Sequence, residues 1–152
     1  MSHGRTVALA AATAVGVIVA DQIAKAVVRA QVGRGEAIHL LPGVQLVNVR
    51  NSGVAFGLFA EGGALLAVIA AVVLAGVLAF FLRNLDRRLV WLPTGLLIAG
   101  ALGNLLDRAR EGAVTDFIDV RWWPAFNVAD MAITFGVVGL LWVLEGPGRK
   151  RA

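Results

Sequence analysis

Six aspartates occur in this chain of 152 residues, and four of them lie between residues 107 and 130. They fall in the segments G103-N-L-L-D-R-A-R-E-G-A-V-T-D-F-I-D-V120 and F126-N-V-A-D130. Asp116 and Asp130 are fourteen residues apart, so a short connection could bring their carboxyl groups together. Two adjacent carboxylates do not readily both ionise, and such a pair can share one proton. The ionised member could then activate water while the neutral member polarises a carbonyl and later supplies a proton. N127-x-x-D130 also reads as a helix start, with Asn127 as N-cap and Asp130 favoured by the helix dipole. In G103-N-L-L-D-R108, Asn104, Asp107 and Arg108 share one helical face at i, i+3 and i+4. That face either orients a catalytic acid or is an Arg–Asp pair closing a helix, and Asp107 rivals Asp116 for the second catalytic position. Asp119, beside Arg121, reads as a loop charge. Asp21 and Lys25, at i and i+4, read as a structural pair that could reach toward the acids. N51-S-G-V-A-F-G57 offers an amide and small residues, with Gly53 and Ala55 permitting close approach of a substrate backbone.

The elements that must hold these residues are apolar. The chain is 59% hydrophobic and 16% charged, with mean hydropathy +0.79. Soluble domains carry about 25% charged residues, so the composition marks a membrane protein. Four segments approach the roughly 20 apolar residues a span requires: about 7–28, 62–82, 89–106 and 127–144. All should be helical, because helices satisfy their backbone in lipid and no alternating pattern supports a barrel. The fold expected is therefore a membrane all-α bundle of four transmembrane helices, forming a single domain over residues 1–152.

Between the first two spans, G33-R-G-E-A-I-H-L-L-P-G-V-Q-L-V-N-V-R-N51 combines turn residues with short β-like runs, predicting a small extracytoplasmic β-sheet. W122-W-P124 should sit at the same interface. Clustered basic residues at 83–88 and 149–151, with Arg5, place both termini in the cytoplasm and the aspartate-rich segments outside. Arg29, Arg34, Arg50, Arg108, Arg110 and Arg121 fall on the outer side against that trend.

The net charge of +4 comes from these clusters and does not indicate nucleic-acid binding. With no cysteine, thiol nucleophiles and thiolate metal sites are excluded. His3 and His39 are too far apart in sequence to suggest a histidine-rich zinc site. The N-terminal apolar stretch continues into Asp21 and Lys25 without a persuasive cleavage site, so it reads as a retained span. A proton relay would place its acids at mid-span, and a Mg²⁺-dependent phosphotransferase would use several aspartates as ligands.

The blocks D21-Q-x-x-K25, N51-x-G-x-A-F56, G103-N-x-x-D-R108, V114-T-D-F117 and F126-N-x-A-D130 resemble, in order and topology, those of the bacterial lipoprotein signal peptidases (signal peptidase II). The resemblance implies a metal-free aspartic endopeptidase of the cytoplasmic (inner) membrane, with its site at the outer face. Its substrates would be prolipoproteins bearing a diacylglyceryl-Cys, cleaved just before that residue. It further implies a monomer that contacts membrane lipid, uses no cofactor and is blocked by globomycin. Carried over by position, the catalytic dyad falls on Asp116 and Asp130. Asn51, Gly53, Asn104, Asp107, Arg108, Asn127, Ala129, Asp21 and Lys25 match positions that line or brace the site. The connection between the two catalytic blocks is shorter than in many members, and Thr115 stands where Val is common.

Overall fold

The computed structural model describes residues 1–52 and 63–145, with side chains described through 52 and from 68 onward. Gly53, Ala55 and Phe56 of the expected substrate-binding block lie outside the described residues. The element order is α1 (His3–Gln31), β1 (Ala37–Leu41), β2 (Val44–Asn51), α2 (Gly63–Arg83), α3 (Trp91–Glu111), β3 (Val114–Val120), β4 (Trp123–Phe126) and α4 (Val128–Glu145).

The helices fall where the apolar runs predict them, with shifted ends. Ser2 caps α1 by accepting from the Arg5 N–H, extending it four residues before the expected start. α3 runs to Glu111, five residues past expectation, and stops where Gly112 adopts a left-handed conformation (φ 71°). That conformation suits glycine and is a common helix terminator. α1 and α4 are the two described helices long and apolar enough to cross a membrane. Val68–Arg83 is a shorter apolar helix, and α3 ends in Asn104, Asp107, Arg108, Arg110 and Glu111.

The packing inverts the pattern of a soluble core. Val15, Val19, Ile23 and Val27 are exposed along α1, as are Val72 and Val73 on α2 and Phe135, Val138 and Trp142 on α4. Asp21, Lys25, Asn104, Asp107 and Asn127 are instead buried between helices. Contiguous apolar surface on this scale needs an apolar surrounding. α3 is the central helix, in contact with α1, α2 and α4. Small residues allow this closeness. A Cβ at Gly100 would overlap the Ala129 carbonyl oxygen of α4, and one at Gly103 would lie 3.2 Å from Asp21 Oδ2 of α1.

The sheet is larger than the one expected between the first two helices. It is four-stranded and antiparallel, in the order β1-β2-β3-β4, so the segment between α3 and α4 supplies half of it. The 114–120 stretch, expected as loop, is a strand because V-T-D-F-I-D-V pairs with β2, with Val49 opposite Asp116 and Asn51 opposite Val114. The protein is thus mostly helical with a small antiparallel sheet, as expected, but the sheet draws on two segments of the chain and not one. Val28 of α1 and Val32, just past its end, pack with Phe117 of β3, fastening the sheet to the helices.

Candidate functional site

α4 begins with a reciprocal cap. Asn127 Oδ1 accepts from the Asp130 N–H (2.9 Å), and the Asn127 N–H donates to Asp130 Oδ2 (3.2 Å). This is capping-box geometry with aspartate at the third helical position, so the helix-start reading of N127-x-x-D130 holds. It does not exhaust the role of either residue. With Oδ1 committed to an N–H, the Asn127 amide must turn its Nδ2 the other way. There it donates to Asp116 Oδ1 at 2.6 Å and approaches Asn104 Oδ1 at 3.3 Å. One fully buried asparagine therefore touches both acids.

Two further asparagines complete the cradle. Asn51, on the last residue of β2, donates to Asp116 Oδ2 at 2.9 Å. Asn104 of α3 donates to Asp130 Oδ1 at 2.8 Å and accepts from Lys25 Nζ at 3.1 Å. An ammonium has only donors, so Lys25 fixes which way the Asn104 amide points and thereby aims its NH₂ at Asp130.

Lys25 itself lies 2.7 Å from Asp21 Oδ2 and 2.7 Å from Asp107 Oδ2. The i, i+4 pair expected from sequence is present, with Asp107 as a second carboxylate on the same ammonium. Asp107 also accepts from Gln22 Nε2 at 2.8 Å. Its partners are thus on α1, and the expected Asp107–Arg108 pairing does not form among the described residues. Arg108 Nη1 instead reaches the Asn104 carbonyl at 3.4 Å, while its buried Nε has no partner among them. Asp21 accepts from the Ala129 N–H at 2.9 Å, so α1 helps cap α4. Neither the Gln22–Asp107 bond nor this capping contact is legible in the sequence. The D21-Q-x-x-K25 block marks the right turn of helix, but nothing local says which helix it meets. Asp119 accepts from Gln45 Nε2 at 2.6 Å across the β2–β3 pair, so it is a strand residue with a polar partner and not a loop charge beside Arg121.

Asp116 lies on β3, outside the helices, and is 2% exposed. Burial pushes its carboxyl above the ordinary value of 3.8. The Asn51 hydrogen bond opposes that rise, the negative charge of Asp130 adds to it, and Asn127 and Lys25 oppose it. The direction is the one expected for the proton-bearing member of a carboxylate pair. Asp107 is walled off by Lys25 and Gln22, whereas Asp130 remains half-buried.

Beside the acids, α2, α3 and α4 form a groove of about 280 Å³. Val73, Leu97 and Ile133 are among its apolar walls, and Asn104 and Arg108 form its polar lining. No group of three or more His, Cys, Asp or Glu side chains able to hold a metal occurs among the described residues.

The family profile described as Signal peptidase (SPase) II matches residues 13–145. This chain belongs to the signal peptidase II family. Among curated relatives, the lipoprotein signal peptidase of Moorella thermoacetica is 42% identical over 138 residues, covering 89% of this chain and 91% of that one. The lipoprotein signal peptidase of Pelotomaculum thermopropionicum is 41% identical over 136 residues, covering 88% and 90%. A solved bacterial membrane enzyme superposes with a TM-score of 0.81 at 30% identity, covering 91% of this chain and 93% of that structure. Members of the signal peptidase II family are peptidases, and the apolar helix faces accord with a membrane enzyme.

Proposed function

We propose that the protein is a membrane aspartic endopeptidase that removes the signal peptide from diacylglyceryl-modified prolipoproteins, cutting just before the lipidated Cys, with Asp116 and Asp130 as its catalytic dyad. The observation that carries this reading is Asn127, which hydrogen-bonds Asp116 through its side chain and Asp130 through its cap. Asp130 acts as the ionised base that activates water, favoured there by the N-terminus of α4. Asp116, whose carboxyl burial shifts toward the protonated form, donates to the scissile carbonyl oxygen. As water attacks, Asp130 takes its proton and the carbonyl oxygen draws on the Asp116 proton. Collapse of the tetrahedral intermediate breaks the C–N bond: Asp130 passes the proton it took from water to the leaving amine, and the oxygen that re-forms the carbonyl returns its proton to Asp116. Asn51, Asn104 and Asn127 orient the carboxylates, and the Lys25 network holds Asn104 in place.

α1, α2, α3 and α4 act as four spans, with the sheet and the dyad at the outer face of the cytoplasmic membrane and both termini inside. α3 completes a span because its polar half faces α1 and α4 rather than lipid. The groove beside Asn104 and Arg108 gives a lipid-bearing substrate a lateral approach from the bilayer. Globomycin would compete at this site. The protein acts as a monomer and needs no cofactor. The test is incubation of the purified full-length enzyme with a prolipoprotein carrying or lacking the diacylglyceryl group. Release of a signal peptide only from the lipidated form, leaving the modified Cys as the new N-terminus, is expected. Cleavage of both forms alike, or at another bond, contradicts the assigned substrate.

A further inference from the structure

Six arginines lie on the aspartate-bearing side of the chain, where positively charged residues are disfavoured. Three of them, Arg29, Arg34 and Arg50, converge on one cavity of about 210 Å³ between the end of α1, β2 and the end of α3. Its lining also includes Thr115, Asn48 and Glu111. Arg29 Nη1 donates to Thr115 Oγ1 at 3.2 Å, and Arg50 Nη2 donates to the Glu111 carbonyl oxygen. Each guanidinium has five N–H donors, so both are held in position with donors to spare. Arg34 makes no hydrogen bond or ion pair among the described residues. Two carboxylates are close by. Glu111 lines the cavity, and Glu36 accepts from the Gly33 N–H at 3.0 Å, yet neither forms an ion pair with these arginines among the described residues.

The cavity therefore gathers cationic forks without neutralising them. Planar bidentate donors of this kind suit phosphate. Its depth is equally specific. It sits where α1 and α3 end, while Ile23 and Val27 still expose apolar side chains in the last turns of α1. That level corresponds to the boundary between acyl chains and headgroups. We propose that this pocket binds the phosphodiester headgroup of an anionic phospholipid from the outer leaflet. A bound phosphate would bridge α1 and β2, and through Arg29 and Thr115 it would brace the strand that carries Asp116. The proposal rests on the outward orientation given above.

The full-length protein in detergent would be titrated with phosphatidylglycerol and with phosphatidylcholine, and retained lipid counted by native mass spectrometry. Phosphatidylglycerol should be held more tightly. Arg34→Gln, at an exposed residue without partners among the described residues, should weaken its retention about fivefold, and Arg29→Gln/Arg34→Gln about 25-fold. Phosphatidylcholine retention should not change. Equal retention of phosphatidylglycerol by wild type and both variants overturns the pocket. Displacement by inorganic phosphate at matching concentration overturns the lipid assignment in favour of a free anion. Because the chain has no cysteine, Arg34→Cys in intact cells reports orientation separately through an impermeant thiol reagent. Labelling without any preference for phosphatidylglycerol overturns the pocket alone, whereas absence of labelling overturns the orientation.

Discussion

Replacing Lys25 with Met removes the only cation in contact with two buried carboxylates among the described residues. Lys25 is 0% exposed, and its ammonium lies 2.7 Å from both Asp21 and Asp107 and 3.1 Å from Asn104 Oδ1. With all three groups ionised the cluster carries one net negative charge. Methionine fills similar volume but leaves two carboxylates facing each other away from water. Breaking a buried ion pair from one side costs about 3–5 kcal/mol. For a chain of this size each kcal/mol lowers the unfolding midpoint by about 2–4 °C, so a fall of about 10 °C is expected. Asp107→Asn makes the opposite change in charge. It leaves Lys25 neutralised by Asp21 and keeps an acceptor for Gln22, so its cost should be about 1 kcal/mol. Circular dichroism of the detergent-solubilised protein during heating reads both variants. The double variant should lie above Lys25→Met, since one of the two stranded charges is gone. A Lys25→Met midpoint within about 2 °C of wild type would refute the reasoning, as would an Asp107→Asn variant equally unstable.

Three further outcomes are expected. Asp116 titrates above 3.8 in the folded protein, so its contribution to stability is fully present below its unfolded value and is lost as pH rises through the folded one. Asp116→Asn cannot ionise but turns an NH₂ onto a donor, so its stability relative to wild type should be lowest below about pH 3.8 and should improve as pH rises toward neutrality in parallel melting curves. Asn127→Ala deletes the α4 cap and a 2.6 Å bond to Asp116. It should cost about 1–2 kcal/mol of stability and slow cleavage more than it weakens substrate binding, seen as a fall in kcat with little change in KM. Chelators should leave the cleavage rate unchanged, and a rate restored only by added Mg²⁺ would favour metal-assisted chemistry.

Much of the site is legible in the sequence because helix chemistry is local. Asn127 and Asp130 announce a cap, Asp21 and Lys25 announce a pair, and both are present. The tertiary partners are not legible. That Lys25 meets Asp107, or that Asp21 caps Ala129, depends on how α1 crosses α3 and α4, which no spacing encodes. The same reason hides β3. V114–V120 mixes apolar and acidic residues like a loop, and its strand character comes from pairing with β2, more than sixty residues earlier in the chain. Asp107 illustrates the consequence. Its neighbour in sequence, Arg108, suggests an ion pair, yet its charge is met by a lysine from another helix.

The central claim is that Asp116 and Asp130 form the catalytic dyad while Asp107 only supports it. Its most direct test is a gel-shift assay on a lipidated prolipoprotein with Asp107, Asp116 and Asp130 changed singly to Asn. All three variants should insert in the membrane, with cleavage lost in Asp116→Asn and Asp130→Asn and retained in Asp107→Asn. Retained cleavage in either of the first two, or its loss in Asp107→Asn alone, would contradict the assignment.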